Sequence, residues 1–178
     1  MSTPTASTAP TPAQVREVLA AVTDPEIPVI TIDDLGILRD VAVDRGRITV
    51  TITPTYSGCP AMQEIEADVR AALGRRGWDD VELRTVLSPA WTTDWMSEDG
   101  RRKLRAFGIA PPAARAAGPV LVQLGRRPGS ASPAPAPVDC PQCGSADTEE
   151  LTRFGSTSCK SMWRCRSCRE PFDHFRAH

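Results

Sequence analysis

The order of apolar and polar positions divides the chain into short helices and strands. Val15, Val18, Leu19 and Val22 recur at helical spacing and give one apolar face. Thr11-Pro12-Ala13-Gln14 marks the start: Thr can cap, Pro fits the first helical position and Gln14 can reach back as in a capping box. Asp24-Pro25 is the expected stop. From Ile37 the period changes to two, through Val41 and Val43, a turn at Asp44-Arg45-Gly46, then Ile48, Val50 and Ile52 alternating with Thr49, Thr51 and Thr53. This pattern predicts an antiparallel hairpin with one buried face. Pro60 opens a second helix, with Met62, Ile65, Val69 and Leu73 on one side. Residues 81–86 read as a third strand, residues 97–106 as a short helix closed by Gly108, and residues 120–124 as a further strand.

The order α-β-β-α-β-α predicts an α/β (α+β) fold, a sheet of about three strands covered by helices. Residues 1–10 are Ser, Thr, Pro and Ala and read as a disordered tail. Residues 11–125 then form the first domain, residues 126–138 a proline-rich linker, and residues 139–178 a second, small domain.

Composition narrows the function. A net charge of −1 removes the usual electrostatic reason to expect nucleic acid or an anionic membrane surface. The first twelve residues have neither a cationic start nor an apolar block, so no secretory signal or membrane span is expected and the protein is placed in the cytoplasm. In a reducing compartment, six cysteines read as metal ligands or reactive thiols rather than as disulfides.

Four of them form two Cys-x-x-Cys pairs, Cys140/Cys143 and Cys165/Cys168. Each pair turns two thiolates toward one point, and together they supply the four soft ligands of a structural zinc ion. The segment between them is long enough for the strands of a zinc ribbon. Its few apolar residues, among them Trp163, Phe172 and Phe175, are too few to fold a piece this small without a staple. The fifth cysteine here, Cys159, lacks a paired partner and reads as a packed or locally hydrogen-bonded thiol, while His174 and His178 read as surface residues at a fraying end. Basic and acidic side chains balance across residues 139–178, so no nucleic-acid footprint is present.

The sixth cysteine, Cys59, lies in Thr53-Pro-Thr-Tyr-Ser-Gly-Cys-Pro60 between a strand and a helix. A position at or beside the helix N-cap predicts a stabilised thiolate; the plainer reading is a small residue in a tight turn. Both histidines lie in the last five residues, and no phosphate loop or serine elbow is present, which makes the chain a poor enzyme by itself.

These segments carry a family resemblance. DPEIPVITIDDLGILRDV, TPTYSGCPAMQEIEADV and LSPAWTTDWMSEDGRRKLRAFGIAPP resemble the small domain of iron–sulfur cluster targeting and SufT-like proteins. CPQCGS with FGSTSCKSMWRCRSCREPFDHF resembles the PaaD/PaaJ family of the phenylacetyl-CoA epoxidase (phenylacetate oxygenase) system of aerobic phenylacetate degradation. The resemblance implies a helper of a ring-epoxidising oxygenase and its reductase, assisting maturation of iron–sulfur or di-iron centres, with transient iron or a cluster as cargo. It matches Cys59 to the family's turn cysteine, Asp24 and Glu26 to its acidic motif, and the four tail cysteines to its zinc ligands. The chain lacks the Glu-x-x-His pairs of a di-iron site, so the ring chemistry belongs elsewhere. A structural subunit of the oxygenase and a zinc-ribbon nucleic-acid binder stand as the competing readings, and self-association stays open.

Overall fold

The computed structural model describes residues 9–112 and 138–176. They fall into two units that divide between Phe107 and Gly108. The N-terminal tail, residues 120–124, most of the expected linker and His178 lie outside the described residues.

In the first unit, helix α1 (Pro12–Leu19) carries the expected capping box, with Gln14 N donating to Thr11 Oγ1 at 3.3 Å and Thr11 N donating to Gln14 Oε1 at 2.9 Å. It ends earlier than Asp24-Pro25 suggests, because backbone groups beyond it are taken by another segment: Ile32 N donates to Val22 O and Asp24 N donates to Ile30 O. Strands β1 (Leu38–Asp44) and β2 (Arg47–Ile52) form the predicted hairpin. Its connection, Arg45-Gly46, has φ values of 49° and 89°, the double left-handed geometry of a type I′ turn that suits strand twist. Helix α2 (Ala61–Gly74) leads to β3 (Val81–Thr85), which pairs parallel to β2, giving the sheet order β1-β2-β3. A parallel neighbour cannot be reached by a hairpin, so α2 is the crossover. Val15 and Leu19 of α1, Ile65, Val69 and Leu73 of α2, and Ile48, Val50 and Ile52 of β2 are all buried. Each contributes on the order of 1.5–3 kcal/mol by leaving water.

Residues 24–36 contain no long regular element yet place Ile27, Ile30, Ile32 and Leu35 in the core. Asp34 ties this segment to helix α3 (Glu98–Ala106). Its carboxylate accepts from Lys103 Nζ at 2.6 Å and Ser97 Oγ at 2.8 Å, and its carbonyl accepts from Ser97 N at 2.8 Å. Burial pushes the Asp34 carboxyl up, but hydrogen bonds from Lys103, Ser97 and Thr31 outweigh it and hold the group below its usual range. The approach is close enough that a Cβ on Gly100 would sit 3.0 Å from Asp34 O.

The second unit is a four-stranded sheet in the order β4-β7-β6-β5, from β4 (Ile109–Ala110), β5 (Thr148–Thr152), β6 (Lys160–Cys165) and β7 (Pro171–Phe175). Ile109 and Ala110 pair with Asp173 and His174, so they belong to this sheet and not to the domain that the sequence extends to residue 125. Two residues are too short to carry a strand pattern. Ala110, Cys140, Trp163, Cys165 and Phe172 form this unit's apolar cluster. The expected surface position of His174 is also corrected: β7 is an interior strand, and the ring packs edge-on to Trp163. Trp163 Nε1 donates to Ser161 Oγ at 2.9 Å, and that oxygen lies 3.4 Å from His174 Nδ1.

Burial, with the nearby Arg176 charge, lowers the His174 pKa from 6.5 to about 4. The unfolded chain therefore takes up the proton first. The resulting stability is full above about pH 6.5 and is lost as pH falls toward 4. Between pH 7 and 5.5 the ribbon loses about 1 kcal/mol from this residue. Hydrogen exchange of β6 and β7 amides in excess zinc checks this: His174→Gln flattens the pH dependence, and an unchanged slope contradicts it.

Candidate functional site

The parallel pairing of β2 and β3 sets the C-terminal ends of both strands at the same edge, where residues 53–60 lead into α2. Gly58, with φ 87°, provides the left-handed step that turns the chain. Cys59 follows it, half-buried, one residue before the Pro60 cap. Its sulfur accepts hydrogen bonds from the Ala61 amide and the Tyr56 hydroxyl. Asp24 and Glu26, far away in sequence, act on it electrostatically. Asp24 is buried and also holds its own loop, accepting from Glu26 N at 2.9 Å and Ile27 N at 2.8 Å.

The charge state of Cys59 differs from the sequence expectation. Burial, then the negative charges of Glu26 and Asp24, outweigh the two hydrogen bonds and raise the thiol above its ordinary pKa. The helix-start amide is present as expected; the partial burial and the carboxylates were not legible from spacing. The resting group is a neutral thiol. Thr53, at the end of β2, was missed as a special position: its hydroxyl is buried without a hydrogen-bond partner, as is that of Thr93. Only its place in a Thr-alternating strand marked it.

The ribbon cysteines form a preassembled donor set. The sulfurs of Cys140, Cys143, Cys165 and Cys168 lie within 4.8 Å of one another, with Cys140 to Cys168 at 3.8 Å and Cys143 to Cys165 at 3.6 Å. A tetrahedral zinc ion with bonds of about 2.3 Å sets its sulfurs about 3.8 Å apart, so the donors fit zinc. Gly144, at φ 75°, and Arg169, at φ 68°, close the two knuckles, and the Cys168 amide donates to Cys165 Sγ at 3.4 Å. Cys140 and Cys165 are buried, while Cys143 and Cys168 face solvent. The Cys168 amide lowers the Cys165 thiol to about 6. The Glu170 amide pulls Cys168 down, but desolvation and the neighbouring sulfurs push it up to about 12. Four crowded thiols resist joint ionisation, and a bound cation removes that resistance. Among the described residues, this is the one group of three or more ligating side chains at such distances; Cys59, Asp24 and Glu26 do not form a closed cage. Cys159 is buried and lies 2.9 Å from Thr157 Oγ1, as expected of a packed, locally bonded thiol.

Two outcomes follow. Metal analysis gives one zinc per chain, and chelation unfolds β5–β7 while α1–β3 stays folded, since zinc supplies on the order of 10–16 kcal/mol to modules of this size; Cys143→Ser does the same. For Cys59, alkylation rate against pH gives a pKa above the ordinary thiol value, and Glu26→Gln moves it down. An unchanged pKa in that variant contradicts the electrostatic assignment.

Comparison with known proteins agrees with this division. Residues 12–84 match the iron–sulfur cluster assembly protein family, and residues 126–176 match the PaaD zinc beta ribbon domain. The chain is 44% identical over 168 residues to a 1,2-phenylacetyl-CoA epoxidase subunit of Escherichia coli K12, the PaaD subunit, covering 93% of this chain and 94% of that protein. It is 40% identical over 88 residues to an Fe-S protein maturation auxiliary factor of Porphyromonas gingivalis, covering 48% of this chain and 83% of that one. A crystal structure of a domain of unknown function from Bacillus anthracis is 30% identical, with a TM-score of 0.49, covering 52% of this chain and 90% of that one. With near full-length identity to one relative and both family matches in order, the chain belongs to the PaaD family of phenylacetyl-CoA epoxidase subunits.

Proposed function

We propose that the chain is an accessory maturation factor for the iron–sulfur or di-iron centres of a phenylacetyl-CoA ring-epoxidising system, working with its oxygenase and reductase subunits. Cys59 takes iron or a cluster as transient cargo. One observation carries this reading: a half-buried thiol at a strand-to-helix turn, with Asp24 and Glu26 acting on it from a separate segment. The names of the relatives, an epoxidase subunit and a maturation factor, support it.

The raised pKa gives the chemistry a direction. At rest, the carboxylates keep the proton on Cys59 and protect it from oxidation, because the thiolate is the reactive form. An arriving iron cation reverses the electrostatics: it displaces the proton, and the same carboxylates then attract the charge. With no closed cage around the sulfur among the described residues, the cargo retains open positions for a receiving protein. The zinc ion of the ribbon is structural in this reading. No helix among the described residues is long and apolar enough to cross a membrane, and we place the activity in the cytoplasm.

The test is to express the oxygenase and reductase with the wild-type chain or Cys59→Ser, then measure iron content and phenylacetyl-CoA turnover. The serine keeps nearly the same volume, so stability changes little. Loss of partner iron at least tenfold, with the variant folded and still bound, is the expected result. Full metal loading and turnover with Cys59→Ser favours the structural-subunit reading, for which the near full-length match to an epoxidase subunit is the supporting observation.

A further inference from the structure

The outer face of the ribbon sheet combines exposed apolar side chains with uncompensated positive charge. Met162 lies on β6, an interior strand, yet is 38% exposed. Leu151 and Phe154, at the end of β5, are 50% and 69% exposed. Thr152 stands opposite Met162, and its hydroxyl donates to Phe154 O and accepts from Phe154 N, each at 3.2 Å. This double bond holds the Phe154 backbone beside the Met162 row. The guanidinium of Arg176 lies 5.5 Å over the Phe154 ring. Arg164, two residues from Met162, points to the same side of the strand.

The acids of this face are already engaged. Asp173, opposite Met162, is paired with Lys160 Nζ at 3.3 Å, and Glu149, opposite Arg164, is paired with Arg166 at 3.0 Å. Arg164 and Arg176 have no carboxylate at ion-pair distance among the described residues. What faces outward is therefore Met, Leu and Phe flanked by Arg, the residue types enriched in the cores of protein interfaces. Phosphate-backbone binding wants the opposite composition, many cations and little apolar surface, and this unit's charges balance.

We propose that this face docks a protein surface with an apolar centre and an acidic rim, on a subunit of the system the chain serves. The inference rests on the proposed function for the partner's identity but not on Cys59. Burying Met162 and Phe154 supplies affinity, while Arg164 and Arg176 meet the partner's carboxylates and set orientation.

The experiment uses the zinc-loaded full chain as wild type, as Phe154→Ser/Met162→Ser, as Arg164→Glu and as Cys59→Ser. Binding to the purified oxygenase and reductase subunits is measured at two salt concentrations, with zinc content confirming that each ribbon is folded. The expected result is binding by wild type and Cys59→Ser to one subunit, at least tenfold weaker binding by the apolar double variant, and a comparable, salt-dependent loss for Arg164→Glu. Equal binding by the face variants overturns this inference and leaves the maturation reading standing. No binding of wild type to any subunit removes the partner assignment and this inference together. Tight, salt-sensitive binding of single-stranded DNA or RNA, abolished by Arg164→Glu, replaces the protein partner with nucleic acid.

Discussion

Parallel pairing between β2 and β3 is the constraint from which the candidate site follows. Antiparallel strands can be joined by two residues, as Arg45-Gly46 joins β1 to β2, but a parallel neighbour requires the chain to travel back along the sheet. Helix α2 makes that return, so residues 53–60 must pass from a strand's C-terminal end to a helix start. That edge is where open sheets with helical crossovers bind ligands, because side chains there are presented by rigid elements without filling the core. Cys59 occupies it, and the capped turn begun by Asp24 brings Glu26 into electrostatic reach.

The two units solve the stability problem differently. The first buries a continuous aliphatic core and ties its last helix down through Asp34, Ser97 and Lys103. The ribbon has one small apolar cluster, two members of which are themselves zinc-ligand candidates, Cys140 and Cys165. Its core and its metal site are thus the same object, which is why metal and fold are expected to be lost together. The ribbon's exposed Met162 and Phe154 lie outside that object, so their substitution does not draw on its stability.

Much of this was legible in the sequence, for identifiable reasons. The Thr11/Gln14 box, the Val/Thr alternation of β2 and the two Cys-x-x-Cys knuckles are local signals with short-range physics, and each appears at its expected position. Long-range effects were not legible. The early end of α1 comes from competition by residues 30–32, β4 exists only because β7 is there to receive two residues, and His174 is interior because β4 covers its strand. The Cys59 thiol was misjudged for the same reason: the helix-start amide is local, whereas the burial and the Asp24 and Glu26 charges that outweigh it arrive from another segment.

The most direct measurement is iron K-edge absorption on anaerobically iron-loaded chain with the ribbon already filled by zinc. Cargo held by Cys59 predicts an iron–sulfur scattering path in the wild type that disappears in Cys59→Ser while the zinc edge stays constant. An iron–sulfur path unchanged by that substitution, or iron bound with no sulfur neighbour in the wild type, would contradict Cys59 as the thiol that handles iron.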